Sequence, residues 1–517
     1  MLTCQTALPL ADDQPVRALK LHHTDNVAVV LGPVRTGQMV LTGDETLRAV
    51  EDLPRGHKIA LRAIHTGDSV RKYGEIIGSA TSNIAEGQWV HSHNLSAGKL
   101  QRILPDSHAQ TLTVGGDDGV RFMGYRRADG RVGTRNTLAV ISTVNCSADA
   151  ALLIASRARA ELLPRYPRLD DVFAVTHKGG CGVPIGGATH TVLLRCLTGM
   201  ATHPNVGGAL VIGLGCEVVS PREVAATAEA MGVPCATLSV QDAGGVGKAV
   251  CRGMEMLEPL ARQANDAERA PCRLSDLVVG TNCGGSDAYS GITANPLLGR
   301  VGDHVVAAGG RWALAESPET CGAEHILARR AVSRDVARRL YDVMDRWDAY
   351  TAAYGASVDN NPAPGNKEGG ITTIYEKALG AVMKGGQSPL ADVKQYAEPI
   401  TETGLTFMDT PGMDDVSVTG LVAGGCNLIA FTTGRGSCLA FKPVPVVKIA
   451  TTSDLFGRMR SDMDFDAGAI LQGVPMDEAA LALLNLLAAV AGGQKTAGET
   501  QGLGEHTFAP WELGPTL

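Results

Sequence analysis

The sequence predicts an α/β protein in three parts: a small all-β N-terminal unit, a doubly wound α/β middle unit and a C-terminal α/β unit. Three observations predict it. At 517 residues the chain is too long for one hydrophobic core. Residues 15–95 read as short β-type runs broken by Gly, Pro and Asp turns. From residue 121 onward, apolar strand runs alternate with helical patterns over short connections, as parallel sheets require.

In the first unit "ALKLHHTDNVAVVL", "HKIALRAI", "SVRKYGEIIGSA" and "QWVHSHNL" are the expected strands. Residues 96–120 are polar and turn-rich and read as a linker. In the middle unit, 121–272, "NTLAVISTV", "DVFAVTH", "GALVIGLG" and "PCATLSV" read as strands, and "SADAALLIASRARAELL" and "SPREVAATAEAMG" as helices. The stretch "ANDAERAPCRLS" reads as its boundary. In the third unit, 273–517, "DLVVGTNCGG", "GLTFMDTPG", "NLIAFTTGRG" and "VPVVKIAT" are strands that run into polar, glycine-rich turns. "HVVAAGGRWALAES" holds a helix end and a strand, and "SRDVARRLYDVMDRWDAYTAAYG" is a long helix.

Composition narrows the function. A net charge of −8, with no basic run and 4% aromatic residues, argues against a nucleic-acid surface. No apolar run is long enough to span a bilayer, and "MLTCQTALPLADDQPVRALK" has no export signal. Twelve cysteines without a CxxC pair then read as reduced thiols in a cytoplasmic protein.

The chemistry-bearing residues cluster where strands end. "THKGGCG", "GLGCE", "TNCGGSD", "MDTPGMD" and "FTTGRGS" each set small residues beside groups that ligate or exchange protons. In open α/β sheets ligands bind at the carboxyl ends of strands. One such turn is commonly only a turn, but five in one chain point to a site. "NNPAPGNKEGG" adds Asn366, Lys367 and Glu368 between Pro and Gly residues. Arg435, between two glycines, suits a bidentate grip on a carboxylate. In the first unit His22, Asp25 and His57 could form a divalent-metal site, although surface histidines are common.

The strings "HHTDNVAVV", "PRGHKIAL", "VRKYGEIIG", "GYRRADGRVGTRN", "VIGLGCE", "CGGSDAYSGITANP", "NPAPGNKEGG", "DTPGMD", "FTTGRGS" and "VPVVKIAT" occur in order along nearly the whole chain. They resemble the altronate/galactarate dehydratase family. The resemblance implies an N-terminal SAF domain of β-clip type, a Rossmann-like middle domain and a C-terminal α/β dehydratase domain. It implies metal-dependent loss of water from a sugar acid to give a 2-keto-3-deoxy acid. Fe2+ is the expected metal, with Mn2+ or another divalent cation as alternatives. The small-molecule sugar acid is the expected partner, without nucleic acid or membrane, and the chain is expected to be a homo-oligomer, taken as a dimer.

Removing the weakly acidic C2 proton of such an acid calls for a cation, a base, an acid and a carboxylate clamp. Lys367, His177 and Glu217 are the candidate acid/base groups. Arg435, Ser286, Asp287, Asn366 and Ser437 are the candidate substrate holders. His22, Asp25 and His57 are the candidate metal ligands, with Cys216 and Cys283 as alternatives because iron also accepts thiolate. Two other readings stand beside this one. A sulfolactate sulfo-lyase-like C–S lyase would eliminate sulfite, and a sugar-acid-binding protein would keep the fold without the chemistry. A nicotinamide-dependent oxidoreductase is disfavoured, because "VIGLGCE" lacks the third glycine of a dinucleotide fingerprint.

Overall fold

The computed structural model describes residues 14–43, 45–98, 102–104 and 119–513. Most of the linker expected at 96–120 lies outside the described residues. The α/β class with an all-β N-terminal unit is what the chain forms.

The first unit is built from two small sheets. One has six strands in the order Glu45–Arg48, Met39–Thr42, Val16–Leu19, Val27–Val30, Lys58–Ala60 and Trp89–Val90. The other pairs Ser69–Lys72, Glu75–Ala80 and Leu95–Ser96. Tight turns at Gly37, Gly56, Gly67 and Gly87 carry φ between 79 and 89°, which favours glycine. At Gly87 a Cβ would also stand 2.1 Å from the Arg48 carbonyl oxygen, so the turn admits no side chain.

The second unit is a four-stranded parallel sheet in the order Asp171–Val175, Thr137–Ser142, Val206–Gly213 and Cys235–Ser239. Its strands are buried on both faces, which is why they read as unbroken apolar runs. The expected boundary near residue 272 holds a strand instead. Arg269–Arg273 pairs antiparallel with Arg121–Arg126, so the two ends of this unit are stitched together.

The third unit is a seven-stranded parallel sheet. Its order is Leu390–Lys394, Gly404–Met408, Arg311–Leu314, Val278–Cys283, Leu428–Thr433, Val446–Ala450 and Phe465–Asp466. The chain winds to one side of Val278–Cys283 first and crosses to the other side at Leu428. The switch point therefore lies between the carboxyl ends of those two strands, where open α/β sheets form their crevice. Among the described residues no helix is long and apolar enough to cross a membrane.

A buried charge triad fixes the first unit onto the third. Glu376, on the helix Ile374–Val382, takes Lys58 Nζ at 2.9 Å and Lys72 Nζ at 2.8 Å. Its carboxylate also accepts the Thr372 N–H and hydroxyl, and Lys58 Nζ reaches the Gly370 carbonyl at 2.7 Å. Burial alone would raise the Glu376 carboxyl, but the two ammoniums hold it well below the usual carboxylate range. Burial pushes Lys58 down to about 8. Glu376→Ala leaves two ammoniums buried without their counter-ion. We expect a loss of about 3–5 kcal/mol in urea unfolding followed at the contact of the two units. An unchanged midpoint would show that the triad does not hold them together.

Candidate active site

The strand Val278–Cys283 delivers its last residues into the switch point. Gly284 N–H donates to the Thr432 carbonyl at 3.0 Å, and Arg435 N–H donates to the Gly285 carbonyl at 2.9 Å. The two glycine-rich turns are thus zipped together, and Gly285 takes φ 60° to allow it. Arg435 leaves this zipper with its side chain half exposed and reaches Glu368 at 3.1 Å. Asn366 Nδ2 donates to the Ser286 carbonyl at 2.8 Å, which locks the 360–370 loop over the Cys283–Asp287 turn.

Beneath these loops lies an uneven set of buried charges. Glu316, at the end of Arg311–Leu314, receives Lys384 Nζ at 2.5 Å and the Cys283 N–H at 3.0 Å. Glu319 receives Lys377 Nζ at 2.7 Å. Asp414, the first residue of the helix Asp414–Ala423, accepts from Asn282 Nδ2 at 3.1 Å. Three carboxyls thus face two ammoniums. Glu316 Oε1, Glu319 Oε2 and Asn282 Oδ1 are buried acceptors without a donor, and orphans of this kind in a native fold call for an explanation. Burial, opposed by Lys384, pushes Glu316 up to about 8. Burial and then Glu319 push Asp414 up to about 6. Glu316 also holds the left-handed conformation at φ 67°, a strained backbone for a non-glycine residue.

The first unit contributes two imidazoles that grip the 360–370 loop by its backbone. His57 Nδ1 accepts the Trp89 indole N–H at 3.1 Å, which puts the ring proton on Nε2, facing the Glu368 carbonyl at 3.2 Å. Burial pushes His57 down to about 4, so the ring is neutral. His91 Nε2 lies 3.0 Å from the Lys367 carbonyl, and the two rings stack at 5.0 Å.

The expected metal set does not assemble. Asp25 spends its carboxylate on the N–H groups of His22, Tyr73 and Gly74. The exposed His22 ring bonds Thr24, and His57 has both nitrogens engaged. Among the described residues no three His, Cys, Asp or Glu side chains converge closely enough to cage one ion. Cys283 ends a strand of the seven-stranded sheet and Cys216 lies in the loop after a strand of the four-stranded sheet, so they do not form a pair. Cys283 is buried with Sγ 2.7 Å from Ser286 Oγ, and burial raises its thiol.

The other expected residues divide between the two sheets. Lys367, Asn366, Ser286, Asp287, Arg435 and Ser437 belong to the loops of the switch point. Within it, Asp287 is occupied by the Tyr289 and Ser290 N–H groups and by the hydroxyls of Ser290 and Thr451. Ser437 Oγ accepts the Leu439 N–H. His177 and Glu217 stand on the four-stranded sheet of the second unit. Glu217 takes three N–H groups, from Leu214, Gly215 and Cys216, and so folds its own loop. His177 is neutral, pushed down to about 4 by burial, with Nε2 facing the Ser142 carbonyl and Nδ1 accepting the Gly179 N–H.

Sequence reasoning missed Glu316, Glu319, Lys377, Lys384 and the Lys58–Glu376–Lys72 triad. The signal was a charge inside an otherwise apolar run, as in "HKIAL", "WALAES" and "GAVMKGG". Such residues are rarely buried unless paired.

Comparison with known proteins covers the chain in three consecutive matches. Residues 16–98 match the altronate/galactarate dehydratase SAF domain, and 124–265 the D-galactarate dehydratase/altronate hydrolase second domain. Residues 274–516 match the D-galactarate/altronate dehydratase C-terminal domain. The chain is 37% identical over 511 residues to altronate dehydratase of Escherichia coli, covering 96% of this chain and 99% of that protein. It is 36% identical to altronate dehydratase of Bacillus subtilis, over 92% of this chain and 95% of that protein. It is also 36% identical to galactarate dehydratase (L-threo-forming) of Escherichia coli, over 92% and 93% respectively.

The charge imbalance has a measurable pH signature. A carboxyl raised in the fold binds a proton that the unfolded chain releases. Its stabilising protonation is therefore complete at low pH and lost as pH rises from about 3.8 through about 6. Asp414→Asn removes that cost. In metal-free protein the substitution should raise stability by roughly 1–3 kcal/mol more at pH 8 than at pH 5, read from paired thermal melts. An equal effect at both values would show that Asp414 is not charged at the expense of the fold.

Proposed function

The chain belongs to the altronate/galactarate dehydratase family, and from that premise we propose that it is a hydro-lyase that removes water from an aldonic or aldaric acid of altronate or galactarate type. The product is a 2-keto-3-deoxy acid. The observation that carries this reading is the orphaned acceptor set of Glu316, Glu319 and Asn282 beneath the Arg435 loop.

Arg435 is suited to the substrate carboxylate. Its present partner, Glu368, is 69% exposed, and so exposed a pair is weak. An incoming carboxylate can take its place at little cost. In this reading Lys367 and the Glu319–Lys377 pair move the protons. Glu319 Oε2 is free to accept the C2 proton, and the adjacent ammonium can give a proton to the leaving C3 hydroxyl. The resulting enol then tautomerises to the 2-keto acid. His57 and His91 position this loop through its carbonyls.

The expected divalent cation, Fe2+ first and Mn2+ next, fits this site better than the His22, Asp25 and His57 set. Glu316 and Asn282 would hold it through their open oxygen acceptors, with oxygens of the substrate completing the set, because among the described residues no three acidic side chains stand close enough to cage an ion alone. When bound, such a cation polarises the substrate carboxylate and stabilises the charge that develops beside it.

The test is a panel of altronate, galactarate and sulfolactate supplied to metal-stripped protein with and without ferrous iron and reductant. Iron-dependent 2-keto acid from a sugar acid is expected. Sulfite from sulfolactate alone would replace the reading with a C–S lyase. Tight sugar-acid binding without product would leave a binding protein. A bidentate guanidinium is not replaced by an ammonium, and hydrogen bonds to charged groups are worth roughly 1.5–3 kcal/mol. Arg435→Lys should therefore lower kcat/KM by about ten- to a hundred-fold at unchanged Tm. Wild-type kcat/KM would rule out the clamp.

A further inference from the structure

The second unit carries a feature that the dehydratase reading does not use. Its sheet order places a switch point between Thr137–Ser142 and Val206–Gly213, with Asp171–Val175 on the outer side. Each of these three adjacent parallel strands runs into a loop that bears an exposed cysteine: Cys146, Cys181 and Cys216.

The three loops are laced together through their backbones. Thr143 N–H donates to the Ile212 carbonyl at 3.0 Å, Asn145 N–H to Gly179 at 3.1 Å, and Val218 N–H to Gly180 at 3.1 Å. The residue before Cys146 is thus bonded two residues short of Cys181, and the residue before Cys181 is bonded two residues past Cys216. Gly180 makes the approach feasible. It takes φ 97°, and a Cβ there would lie 2.3 Å from the Thr143 carbonyl oxygen. Glu217 turns its carboxylate inward onto three backbone N–H groups, leaving the Cys216 thiol as the outward ligand of its loop. Thr143 Oγ1, one turn before Cys146, is fully buried and has no partner. A cavity of about 780 Å³ opens beside the loops. Asn145, Thr176, His177 and Lys178 line it, and Met413 and Phe508 close it from the third unit.

We propose that Cys146, Cys181 and Cys216 are the thiolate ligands of an iron–sulfur cluster of the [4Fe–4S] class. Thiolates select soft centres, among them zinc, copper(I) and iron–sulfur clusters. The thiols follow three adjacent parallel strands, which stand roughly 4.8 Å apart, and ligands spread over that width suit a cluster better than one ion. No three ligand side chains among the described residues converge closely enough for one ion. A cluster binds each thiolate at a different iron, so its ligands stand farther apart than those of a single metal. Three thiolates also leave one iron without a protein ligand, open to water or to an oxygen of a molecule in the adjoining cavity. Met413 lines that cavity while Asp414, the next residue, bonds Asn282 in the other site, so one helix start borders both.

The inference goes beyond the dehydratase reading and is read without any sugar acid, so either can fail alone. The full chain is reconstituted without oxygen with ferrous iron and sulfide, desalted, and assayed for iron, acid-labile sulfide and the broad visible absorbance of a sulfide-bridged cluster. About four irons and about four sulfides per chain are expected. Cys146→Ser, Cys181→Ser and Cys216→Ser should each lose the visible band while keeping the wild-type far-ultraviolet dichroism. Cys251→Ser, which removes an exposed cysteine on the helix Val246–Asn265, should keep it. Iron bound without sulfide, a single zinc per chain that depends on the three cysteines, or a cluster that survives their combined replacement would each overturn the assignment.

Discussion

Glu376 set between Lys58 and Lys72 is the interaction on which the rest of the site depends. Three charges without solvent are stable only when each is satisfied, and a triad missing one member is worse than none. Two members come from strands of the first unit and one from a helix of the third. Their geometry therefore fixes how the all-β unit sits on the seven-stranded sheet. Once it is seated, His57 and His91 face the carbonyls of Glu368 and Lys367. The loop that closes the switch point is thereby held by neutral imidazoles and by backbone, not by surface charge.

The site below follows a different rule. Two of its carboxyls have lysine partners, Asp414 has only an amide, and three acceptors are left open. A fold optimised for stability alone would close that deficit. Here burial and mutual repulsion raise Glu316 and Asp414 instead, which is the usual signature of groups kept ready for a proton or a cation. The strained backbone at Glu316 belongs to the same pattern.

Much of this architecture was legible in the sequence, because doubly buried parallel strands write continuous apolar runs. "NTLAVISTV", "GALVIGLG" and "NLIAFTTGRG" all became strands, the last two carrying glycine-rich turns at the carboxyl end. The helices Ala188–Ala201 and Met476–Ala491 were not read, since they are apolar on most sides and carry little helical periodicity. Arg435, Asn366 and Lys367 were visible as polar residues among glycines and prolines. Asp25, Glu217 and His57 were chosen by residue type, but their hydrogen-bonding capacity goes to local backbone and neighbouring rings. Nothing in linear spacing distinguishes a carboxylate that folds a turn from one that meets a ligand. The buried lysine–glutamate pairs join residues 58 and 68 positions apart in the chain, and 304 and 318 apart in the triad, so no local pattern announces them.

On this reading the chemistry lies at the carboxyl edge of the seven-stranded sheet, under the first unit. The most direct measurement is a crystal structure with a 3-deoxy sugar acid, which binds like substrate but has no hydroxyl to lose. Its carboxylate is expected on the Arg435 guanidinium and its C2 hydroxyl toward the Glu319–Lys377 pair. An analogue seated instead in the outer cavity beside Arg195 and Arg346, with the Arg435–Glu368 pair intact, would contradict it.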